Sequence, residues 1–92
     1  MHQIRLFVMC NSQVVRKSLS VIFASENNFD VVGETLCCQE SIREAQEVQP
    51  DALLINMEPR DEALMMIQLI REACPYTKIF FFIEKEATGN FL

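Results

Sequence analysis

Ala52–Asn56 reads ALLIN, set between Pro50-Asp51 on one side and Met57-Glu58-Pro59-Arg60 on the other. Five residues bounded by turn formers is the length of a strand. Its first four residues are apolar, so it has no polar face for solvent. A strand of that kind is covered on both sides, as strands in parallel sheets are. Working outward, residues 39–49 carry Ile42, Ala45 and Val48 at helical spacing, and Pro50 ends that helix because the residue before a proline avoids helical angles. On the other side, Pro59-Arg60-Asp61 opens a helix over residues 61–74, with Ala63, Met66, Ile67, Ile70 and Cys74 as its core stripe, and Pro75 stops it. Residues 78–83 (KIFFFI) form a second doubly apolar strand.

The same alternation holds toward the N-terminus. Residues 3–9 (QIRLFVM) read as a strand, and Ser12 is a helix N-cap. A helix over residues 13–25 points Val15, Leu19, Ile22 and Phe23 inward. Asn27-Asn28 breaks it, and residues 29–34 (FDVVGE) form a strand. Strand and helix alternate throughout, which implies βαβ crossovers and a parallel sheet with helices on both faces. Right-handed crossovers leave few topologies. The expected fold is flavodoxin-like, with strand order 2-1-3-4 and a crevice where the first and third strands end. Cys10, Asn11 and Asn56 fall at that crevice.

Composition narrows the function. The chain has 92 residues and a net charge of -5, and its eight Lys and Arg are scattered. Phosphate binding needs clustered positive charge, so neither nucleic acid nor an anionic membrane is an expected partner of this segment. The longest apolar run, 79–83, is far too short to span a bilayer. The start reads straight into a strand with no signal-peptide pattern, so a cytoplasmic protein with reduced cysteines is expected. Cys10, Cys37, Cys38 and Cys74 match no zinc spacing, and no cofactor is expected.

With these elements in place, the sequence resembles the receiver domains of bacterial response regulators. IRLFVMCNSQVVRKSL is similar to the first strand and helix of receivers attached to LuxR-type DNA-binding domains, and FDVVGE to the second strand of that subgroup. PDALLINMEP and CPYTKIFFFI follow the third and fourth strands. The resemblance covers about residues 3–83 and implies a CheY-like fold with two-component signalling. It fails where the family keeps its chemistry. The acidic pair that holds Mg²⁺ falls on Cys10 and Asn11, the phospho-accepting aspartate on Asn56, and the Ser/Thr of the fourth strand on Ile83. No clear fifth strand follows, so the family's lysine has no counterpart, and Pro59 arrives one position early. Mg²⁺ wants carboxylate oxygens. An amide, with its delocalised nitrogen lone pair and uncharged oxygen, does not form an acyl phosphate. These departures imply a pseudo-receiver that takes no phosphoryl group.

Other residues divide between packing and function. Asn56 is expected to be a strand-end amide satisfied by hydrogen bonds. Cys10, Cys37 and Cys38 form a possible thiol cluster, as either a metal or redox sensor or simple packing. Cys74 packs, and His2 is assigned no role. Glu58, Asp61 and Glu62 complement a helix start. Met65 and Leu69 lie opposite the core stripe, and Phe80, Phe81 and Phe82 lie on an uncovered edge strand. Both sets are candidate interaction surfaces. The expected domain is 1–83, with 84–92 the start of a fourth helix or a disordered tail. Either the fifth strand and last helix belong to a longer chain, or a partner or second copy supplies the cover. The expected function is a non-enzymatic regulatory module of a transcriptional regulator, with DNA bound only by another domain. A stand-alone protein that titrates a kinase or regulator is the alternative. A flavodoxin-like enzyme is disfavoured, since no Gly-rich loop follows the first strand.

Overall fold

The computed structural model describes residues 2–58 and 60–82. Its elements are β1 (Ile4–Cys10), α1 (Gln13–Ala24), β2 (Phe29–Thr35), α2 (Gln39–Val48), β3 (Ala52–Asn56), α3 (Arg60–Ala73) and β4 (Lys78–Phe81). The strands are parallel in the order β2-β1-β3-β4. This is the flavodoxin-like, CheY-like arrangement expected from the sequence. Most boundaries shift by one residue, within ordinary fraying. β1 runs through Cys10, which pairs with Asn56. β4 ends at Phe81, two residues short of the expected limit, although Phe82 still donates its N–H to the Ile55 carbonyl at 2.9 Å. Ile83 and the expected segment 84–92 lie outside the described residues.

Strand alternation divides the core in two. Phe7 and Met9 of β1, Leu53 and Ile55 of β3, and the half-buried Ile79 and Phe81 of β4 face α2 and α3, meeting Ala45, Met66, Ile70 and Cys74. Leu6, Val8, Ala52 and Leu54 face the other way, toward Leu19 and Phe23 of α1. Among the described residues, two helices therefore cover one face and a single helix covers the other. Phe23 also meets Phe29 edge-to-face, with ring centroids 4.9 Å apart. Ile22, expected inward, is 55% exposed. Leu19 and Phe23, four residues apart, pack on the sheet, and Ser20 between them is buried, which leaves Ile22 on the flank of that stripe.

Local chemistry sets the element ends. Ser12 Oγ accepts from the Val15 N–H at 3.3 Å and caps α1. At the end of α2, Gln49 takes a left-handed backbone, φ 48°. Arg5 reaches across from β1 and donates to the carbonyls of Gln49 (2.7 Å) and Val48 (3.0 Å), satisfying acceptors at that helix end. Asp51 ties the start of β3 to both neighbours. Its N–H and carbonyl bond Arg5 and Lys78 respectively, and its carboxylate accepts from the Arg5 N–H at 2.9 Å. In β2 the register with β1 slips between Leu6 and Phe7, so that Val31 faces Leu6 but Gly33 faces Phe7. A Cβ at Gly33 would lie 2.5 Å from the Phe7 ring, so the bulge brings the backbone to where only glycine fits.

Candidate functional site

The crevice lies where β1, β3 and β4 end, and Asn56 stands at its centre. Its side chain is buried at 9% exposure. The Asn56 Nδ2 donates to the Phe82 carbonyl at 2.7 Å. Its Oδ1 accepts from the Cys10 thiol at 3.3 Å. Its backbone carbonyl accepts from the Asn11 N–H at 3.4 Å and from the Cys37 thiol at 3.7 Å. The amide thus fastens the end of β4 to β3 and takes a proton donor from β1. Asn11 turns its own Oδ1 away, to the Cys37 N–H at 2.8 Å, and so closes the loop after β2 over the crevice. Arg16 of α1 donates to the Cys10 carbonyl at 2.8 Å and lies 3.6 Å from the Glu34 carboxylate.

This donor set does not fit Mg²⁺. Cys10 is a fully buried thiol, and the oxygens of Asn11 and Asn56 already accept internal hydrogen bonds. Among the described residues, no carboxylate bonds to any of the three. Among the described residues, no group of three or more His, Cys, Asp and Glu side chains is placed to hold a metal ion.

The expected thiol cluster forms only in part. Cys10 and Cys37 both turn onto Asn56, whereas Cys38 turns aside to Ser41 Oγ at 3.2 Å and is exposed. Ser41 in turn bonds the Leu36 carbonyl and holds that loop. Burial pushes the Cys37 thiol up to about 12, helped by the neighbouring Cys10; the Asn56 carbonyl acts in the opposite sense but does not prevail. A desolvated thiol of this kind holds its proton. Cys74 is raised too, by burial in the core under α3.

The expected interaction residues lie apart from the crevice, except Phe82. Met65 and Leu69 are exposed on α3, as their positions opposite the stripe require. Phe80 is 54% exposed on the α1 side of the sheet, and Phe81 is half-buried on the α3 side. Phe82 is itself exposed, while its carbonyl closes the latch to Asn56. Sequence reasoning missed a groove of about 450 Å³ beside α1, lined by Leu6, Phe23, Phe29, Leu54 and Phe80 among others. Among the described residues α1 alone lies on that face, and one helix does not cover four strands.

No family model matches the chain. Among curated proteins it is similar to an uncharacterized transcriptional regulatory protein, YhcZ, of Bacillus subtilis (strain 168), 29% identical over 76 residues. That alignment takes in 82% of this chain but only 36% of the relative's length. Among solved structures it resembles the response regulator domain of Thermotoga maritima CheB, with a TM-score of 0.78 at 24% identity over 89% of this chain and 61% of that one. The chain therefore has the fold of a response-regulator receiver domain.

Proposed function

We propose that this chain is a receiver-like regulatory module that works through protein contacts and takes no phosphoryl group. The observation that carries this reading is the state of Asn56. At the position where the family resemblance puts a free aspartate, there is an uncharged amide with both its ends engaged. The neighbouring acidic-pair positions hold Cys10 and Asn11, which offer Mg²⁺ no anionic oxygen. The module is non-enzymatic and cytoplasmic. It belongs to a transcriptional regulator of the two-component type, in the LuxR-type subgroup that its first strands resemble. The similarity to a transcriptional regulatory protein supports that placement, and DNA binding would come from a separate domain.

Contact with a protein partner or a second copy is made through the exposed apolar side chains of β4 and the groove beside α1, with Met65 and Leu69 of α3 as a second surface. The test is incubation with acetyl phosphate and Mg²⁺, followed by intact mass measurement. The expected result is an unchanged mass. A gain of about 80 Da, that of one phosphoryl group, on any residue of the crevice overturns the reading.

A further inference from the structure

The described sheet has two edges, and they are built differently. Along β2 the edge is blunted. Its register slips beside Val32, and it carries Asp30 and Glu34. A second β2 laid antiparallel about Val32 would set Asp30 of each copy against Glu34 of the other, like charge against like. A bulge and charges of one sign are devices that keep an edge from pairing. Along β4 neither device is present. Lys78–Phe81 pair with β3 in unbroken register, and only Lys78, at one end, is charged. Among the described residues no strand lies beyond β4. In a parallel pair, alternate residues bond the neighbouring strand and those between them point away. Lys78 and Phe82 donate to β3, at the Asp51 and Ile55 carbonyls. The N–H and C=O of Ile79 and Phe81 therefore face out of the edge.

We propose that β4 pairs with β4 of a second copy, antiparallel about a two-fold axis at Phe80, joining the two four-stranded sheets into one. This register uses every outward group, because Ile79 exchanges both of its hydrogen bonds with Phe81 of the second copy, and Phe81 with Ile79. The side chains match themselves as well. On the α3 side Ile79 meets Phe81. On the α1 side the two exposed Phe80 rings meet at the axis. Lys78 at each end comes opposite the exposed Phe82, a cation against an aromatic ring. The two ammonium groups stand at opposite ends, so no like charges meet. A contact of this symmetry closes on itself, and its end point is a dimer rather than a fibre. The axis runs through the sheet, so the two grooves beside α1 open on the same side and join at Phe80. A strand pair this short is a small interface, under about 1,200 Å² in total, so the dimer forms reversibly with a Kd on the order of 10–100 μM. Pairing of this kind rests on the reading of β4 as a contact surface, and the mass assay for phosphoryl transfer comes out the same with or without it.

The experiment is sedimentation velocity on the full 92-residue chain over about 1 μM to 1 mM, which brackets that Kd. The chain is expected to pass from monomer to dimer and no further. Phe80→Lys and Phe80→Glu change an exposed side chain. Each alone sets like charges face to face at the axis and is expected to weaken association about tenfold or more. An equal mixture of the two is expected to dimerise again, which misfolded variants could not do. In the unmodified chain, hydrogen exchange followed by NMR is expected to slow severalfold at the Ile79 and Phe81 amides as concentration rises. A monomer throughout the range overturns the proposal. So does a dimer that both variants leave intact, or a mixture that associates no better than its parts. A dimer in which those two amides exchange as fast as in the monomer also overturns it.

Discussion

At the scale of single residues, Asn56 has the most to test. Its amide donates to Phe82 and accepts from Cys10 at once, which a carboxylate cannot do. Asn56→Asp would set a carboxylate oxygen 2.7 Å from the Phe82 carbonyl, with no proton between them. We expect a loss of about 2–4 kcal/mol at neutral pH, read by denaturant melts. Protonating the new acid restores a donor, so the deficit should shrink as pH falls through the carboxylate range. Gly33→Ala presses a methyl onto the buried Phe7 ring and should cost about 1–3 kcal/mol in the same assay. Cys37 supplies a pH dependence of the same sense in the alkaline range. Its folded pKa of about 12 stands above the ordinary value of 9.0, so the unfolded chain loses this proton first. Stability from this group is complete below pH 9.0 and declines as pH rises toward about 12. Guanidinium melts at rising pH on a Cys37→Ser variant should lack that decline. The identity of Asn56 and its place at the crevice were legible in the sequence, from the strand count alone. Its bond to Phe82 was not, because it depends on where the end of β4 lands against β3.

At the scale of elements, alternation of strand and helix was legible because each apolar run has its own period. Pro50 and Pro75 punctuate it. The end of α2 was legible as a stop but not as a left-handed turn braced by Arg5, forty-four residues away in sequence. Replacing Gln49 by glycine removes the Cβ penalty of the left-handed backbone. The loss of a Gln49 Nε2 bond to the Gln46 carbonyl partly offsets the gain. A net stabilisation of up to about 1 kcal/mol is expected from thermal melts. Arg5→Ala should go the other way, by about 1–2 kcal/mol, since it leaves two carbonyls at the helix end without their donor. The bulge in β2 did have a signal, a glycine inside a strand pattern, which marks a close backbone approach. The misplaced Ile22 shows the limit of periodicity. Spacing by three and by four both fit a helix, and only the sheet beneath decides which stripe is buried.

At the scale of the molecule, the asymmetry of cover is the main fact. α2 and α3 bury one face of the sheet, whereas α1 leaves the β3–β4 half of the other face as an apolar groove with Phe80 at its margin. Such a surface should bind a fluorescent apolar dye, and a charge at its centre should prevent this. Phe80→Lys is expected to cut dye fluorescence severalfold and to shift gel-filtration elution toward the monomer at tens of micromolar, with little change in circular dichroism. Equal elution of the two proteins would place the contact surface elsewhere. The bond between Asn56 and Phe82 also bears on how such a chain can change over generations. A latch that needs a donor and an acceptor on one short side chain behaves as a ratchet. Introducing aspartate alone would break the latch while Cys10 and Asn11 still offered a divalent cation no anionic oxygen. Each single exchange at this site leaves a partner unpaired, so the amide is held in place by both of its bonds.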